Sequence, residues 1–74
     1  MQTRFDMPDG SVAEIRHLPD PAKRRWPNSS WEWEIWYIDT DGEEYCSANA
    51  ASYDDARANA ENVLAAACRP APKG

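Results

Sequence analysis

Acid-base chemistry needs two carboxylates held close together, and Glu32 and Glu34 lie two residues apart on one face of an expected strand, with Glu43 and Glu44 opening the next. His17, the only histidine, could join Cys46 or Cys68 as a nucleophile-base pair, or both of them and a carboxylate as a zinc site. Neither arrangement follows from spacing: the zinc set reaches its ligand count on paper only, and no Ser-His-Asp triad can be placed. Three glycines make no phosphate-cradling loop. A chain of 74 residues also offers little wall for a pocket able to raise a carboxyl pKa. His17 is therefore expected to be a partly exposed strand residue near a loop. The glutamates are expected to be solvated and to discourage edge pairing. Enzymatic activity, a metal and a cofactor are all disfavoured.

The strand that carries the glutamates is more informative as a surface. From Trp31 to Asp39 the residues alternate, but large apolar groups fall on both faces: Trp31, Trp33, Ile35 and Tyr37 on one, Glu32, Glu34, Trp36 and Ile38 on the other. One helix covers one face of a small sheet, so the second must stay wet, pack under a loop or meet a partner. Aromatic side chains within an acidic surround suit a partner surface of Arg and Lys with apolar gaps. Trp36 and Ile38, flanked by Glu32 and Glu34, are the candidate contact residues.

Around this strand the turn and cap signals define the other elements. Thr3 to Met7 alternates and meets Pro8-Asp9-Gly10, a turn that leads into a strand over Ser11 to Leu18. Pro19 to Ser30, with three prolines, makes a loop of unusual length that carries Lys23, Arg24, Arg25 and Trp26. These are either a contact finger anchored by Trp26 or a solvated turn with Trp26 folded over a sheet edge. Thr40-Asp41-Gly42 closes a hairpin onto a strand over Glu43 to Asn49, with Tyr45 and Ser47 on one side and Glu44, Cys46 and Ala48 on the other. Its register is open. Ser52 is placed to cap a helix with Asp55 three residues on, and Tyr53, Ala56, Ala60, Val63, Leu64 and Ala67 make an apolar stripe that ends at Arg69 and Pro70. The expected fold is α+β: an antiparallel meander of three or four strands with one C-terminal helix on one face, formed by residues 1–69, with 70–74 as a disordered tail.

Composition narrows the partners. The net charge of −5 opposes ordinary phosphate binding, and the basic loop holds +2 of it, which leaves −7 elsewhere. Two cysteines are too few for a disulfide scaffold. No apolar run nears the roughly 20 residues that span a bilayer, and no signal-peptide pattern opens the chain, so a soluble, cytoplasmic protein is expected. In size, acidity and element order across residues 1–74, the chain resembles the small phage-encoded anti-CRISPR proteins. That resemblance implies a bacterial host cell and an inhibitor that occupies the DNA-binding surface of a Cascade-type effector complex. It also implies Asp54, Asp55, Glu32 and Glu34 as phosphate mimics and Trp36 as the anchor. Two alternatives remain: direct nucleic-acid binding through Lys23, Arg24, Arg25 and Trp26, and a homodimer that buries Trp36 and Ile38.

Overall fold

A computed structural model describes residues 1–68 as four strands and a helix: β1 (Arg4–Asp6), β2 (Val12–His17), β3 (Trp33–Ile38), β4 (Glu44–Ala50) and α1 (Tyr53–Cys68). The strands pair antiparallel in the order β1-β2-β3-β4, so the sheet is a meander with the α+β architecture expected. The expected helix end at Arg69 and Pro70 and the tail 70–74 lie outside the described residues. Among the described residues, no helix is long and apolar enough to cross a membrane.

Two Asp-Gly turns set the hairpins. Gly10 and Gly42 both have positive φ, at 91° and 86°, which an L side chain would resist. In each turn an aspartate fixes the backbone. Asp9 Oδ1 accepts the Ser11 amide at 2.9 Å and its hydroxyl at 2.6 Å, while Asp39 Oδ1 accepts the amides of Asp41 and Glu43 at 2.9 and 3.0 Å.

The helix starts as its cap predicts: the Asp55 amide donates to Ser52 Oγ at 3.2 Å. Its stripe of Tyr53, Ala56, Ala60, Val63 and Leu64 covers Phe5, Ala13, Ile15, Trp33, Ile35, Tyr37, Ala48 and Ala50 of the sheet. Ala56 and Ala60 are fully buried, so small residues bring the helix close to a sheet whose own side chains are large. Trp33 connects the layers, stacked on His17 at 4.2 Å and edge-on to Tyr53 at 5.7 Å.

Three local expectations are corrected. Trp31 precedes β3 and is 47% exposed rather than part of the helix-covered face, because the alternation that predicts its side holds only within the paired strand. Glu34 is not a solvated sheet carboxylate; it is buried. In β4 the phase changes: Trp36 faces Cys46 but Ile35 faces Ala48, a bulge that leaves Ser47 unmatched. Tyr45 and Ala48 consequently share the helix side, which strict alternation would forbid.

Ile35, at 0% exposure, sits at the centre of the core. Ile35→Ala should lower unfolding free energy by about 2 to 5 kcal/mol. Ser52→Ala should cost about 1 kcal/mol through the lost cap. Urea titrations followed by circular dichroism would check both, and equal stability of Ile35→Ala and the parent chain would contradict the core assignment.

Candidate functional site

The sheet face opposite the helix is largely filled by the chain's own polar groups. The guanidinium of Arg16 lies 4.6 Å from the Trp36 ring centroid and bonds Glu14 through Nε at 2.6 Å and Glu44 through Nη2. Burial alone would pull the Arg16 pKa down, but the hydrogen bonds to Glu44 and Glu14 outweigh it and the pKa is raised. Trp36 is thus half-buried beneath a cation held at both ends. Ile38 is half-buried beside Val12, its cross-strand neighbour.

Glu34 is the one charged side chain buried among the described residues, at 1% exposure. Its Oε1 accepts the Trp36 indole N–H at 2.9 Å and its Oε2 accepts the Arg25 amide at 2.6 Å. That second bond fastens the long loop between β2 and β3 onto the sheet. Burial, then the charge of Glu34, pushes the neighbouring Cys46 thiol up to about 11. The thiol is free and donates to the Ala48 carbonyl at 3.4 Å.

The loop is held throughout. A 3-10 turn over Pro21–Lys23 is capped by Asp20, whose Oδ1 accepts the Ala22 amide at 3.0 Å. Arg24 donates to three carbonyls, those of Leu18 at 2.7 Å, Ser29 at 2.8 Å and Pro19 at 2.9 Å. Ser29 Oγ accepts both the Trp31 amide and Asn49 Nδ2 at 3.1 Å. Arg24 is therefore a structural staple, whereas Lys23, Arg25 and Trp26 face outward.

The remaining sequence candidates are dispersed. Glu32 bonds His17 Nε2 at 2.9 Å, away from Glu34. Asp54 and Asp55 are exposed in the first turn of α1, on the helix side of the sheet. The nine candidates do not form one surface.

Topology assembles a different acidic surface. In an antiparallel meander the first and third turns share an end, and a Cβ on Gly10 would meet Thr40 Cγ2 at 3.4 Å. Asp9, Asp39, Asp41 and Glu43 thereby gather at one end, and residues 5–11 and 37–45 contain no Lys or Arg. Hydrogen bonds from the Ser11 hydroxyl and amide hold the Asp9 carboxyl below its ordinary pKa. Beside these carboxylates Tyr45 is 54% exposed and stacked on Tyr37 at 5.8 Å. Burial, then Tyr45, raises the Tyr37 pKa. The two Asp-Gly turns signalled this end, but only the strand count fixes that they are neighbours.

No cluster of potential metal ligands and no enclosed pocket occurs among the described residues. Comparison with protein-family models, curated proteins and solved structures found no match.

Two outcomes are expected. Glu34→Ala should cost about 1 to 3 kcal/mol by stranding two donors, with faster deuterium exchange at the Arg25 amide. In a Cys68→Ser background, Cys46 should react with a disulfide reagent near neutral pH on the order of tenfold more slowly than an unperturbed thiol, until denaturant exposes it.

Proposed function

We propose that this chain is a small protein-binding inhibitor whose acidic hairpin end docks on a basic, nucleic-acid-handling surface of a protein partner. The observation that carries this is the pairing of the two Asp-Gly turns. It presents Asp9, Asp39, Asp41 and Glu43 together, with no cation among the residues that form the turns. Internal hydrogen bonds hold Asp9 and Asp39 in place, so their carboxylates lose little conformational freedom on binding. Tyr45 adds an exposed aromatic contact beside them.

Fixed carboxylates at a protein surface compete for the cations that would otherwise hold phosphate, and they steer association. The resemblance to phage anti-CRISPR proteins makes a Cascade-type effector complex the first partner to test. The anchor shifts from Trp36, which Arg16 covers, to Tyr45.

Mobility-shift titration of a purified Cascade-type complex with its target DNA is the direct test. The protein should release the DNA, and Asp41→Lys combined with Glu43→Lys should weaken that effect on the order of tenfold or more, mainly through slower association. Tyr45→Ala should weaken it through faster dissociation. Unchanged DNA binding at low salt would overturn the assignment to this complex, and equal potency of the charge-reversed variant would overturn the assignment to this surface.

A further inference from the structure

The long loop at the opposite end of the sheet is the most heavily tied irregular segment of the molecule, and it presents two of the four tryptophans to solvent. Trp26 is 38% and Trp31 is 47% exposed. They stand close in the backbone: the Trp26 carbonyl accepts the Ser29 amide at 3.1 Å, and Ser29 Oγ accepts the Trp31 amide at 3.1 Å. Lys23 and Arg25 are exposed beside them, and neither forms an ion pair among the described residues. The Arg25 guanidinium carbon lies 5.9 Å from the Trp26 ring centroid.

We propose that this loop is a preformed contact surface for single-stranded nucleic acid, with Trp26 and Trp31 as stacking platforms for bases and Lys23 and Arg25 as phosphate contacts. Two exposed indoles on one loop, with two cations outside any ion pair among the described residues, match a ligand that alternates planar apolar groups with negative charges. The loop is preorganised for it: Arg24 grips three carbonyls, Asp20 caps the 3-10 turn and the buried Glu34 holds the Arg25 amide, so little ordering remains at binding.

The overall negative charge does not decide against this. The carboxylates of the hairpin end lie a strand length away, about 20 Å for six residues, against a screening length of about 8 Å at physiological salt. Asp54 and Asp55 lie on the helix side of the sheet, whereas the loop folds over the other side onto Glu34 and Asn49. The carboxylates of the loop and its exit, Asp20 and Glu32, are outnumbered by Lys23, Arg24 and Arg25. The surface differs from the acidic end in every residue, so either can fail without the other.

The test is fluorescence anisotropy of a labelled oligo-dT strand titrated with the full chain, from about 50 to 200 mM salt. Binding is expected at low salt. Trp26→Ala and Trp31→Ala should each weaken it on the order of tenfold or more, with unchanged circular dichroism because both side chains are exposed. Lys23→Gln combined with Arg25→Gln should flatten the slope of log affinity against log salt by about 1.4, the value for two phosphate contacts on a single strand. Absence of binding at low salt, or affinity indifferent to both tryptophans, would overturn the proposal. So would displacement of oligo-dT by polyglutamate at equal charge concentration, which would mark an acidic protein segment as the occupant.

Discussion

The carboxylate of Glu34 is the interaction on which the unhelical side of this molecule depends. A buried carboxylate loses hydration worth several kcal/mol and persists only where donors replace the water. Here the donors are the indole of Trp36 and the amide of Arg25, which come from the central strand and from the long loop. One side chain therefore orients the tryptophan that Arg16 covers, fixes where the loop meets the sheet and sets the charge beside Cys46. Replacing it with an apolar residue would leave the hydrogen bond from Asn49 to Ser29 as the remaining side-chain tie between that face and the loop.

Chain topology then separates the charges. Consecutive antiparallel strands send odd turns to one end and even turns to the other. The two short turns rich in aspartate are the first and third; the long basic segment is the second. Screening weakens the coupling between the ends, so a net charge of −5 describes neither of them. Opposite surface chemistries can coexist on a chain this short because the strands between them are long enough.

Much of this architecture is legible in the sequence for local reasons. Pro8-Asp9-Gly10 and Asp41-Gly42 encode turns through residues that tolerate positive φ, and Ser52 encodes a cap through its own hydroxyl. The face of Trp33, Ile35 and Tyr37 follows from a period of two, and so does the complementary face of Glu34, Trp36 and Ile38. What was not legible depends on side chains meeting across the sheet. Nothing local to Ser47 signals the bulge that returns Ala48 to the helix side. Arg24 reads as one of three equivalent cations, although it alone is consumed inside the loop. Glu34 reads as solvent-facing until a backbone amide nine residues earlier is seen to cover it.

The allocation of tryptophan is the remaining physical constraint. A chain this small buries only about 60% of the surface it exposes when unfolded, so large apolar side chains are its scarcest source of stability. Trp33 and Trp36 are used within the fold, the first between sheet and helix and the second beneath Arg16. Trp26 and Trp31 are used only in part: they keep 38% and 47% of their surface in solvent, on a segment that Arg24, Asp20, Ser29 and Glu34 hold in place. Exposed indoles on a mobile loop could collapse onto the sheet and recover burial. Exposed indoles on a tied loop cannot, and the ties that prevent collapse are the same ones that would keep the rings in place for a ligand.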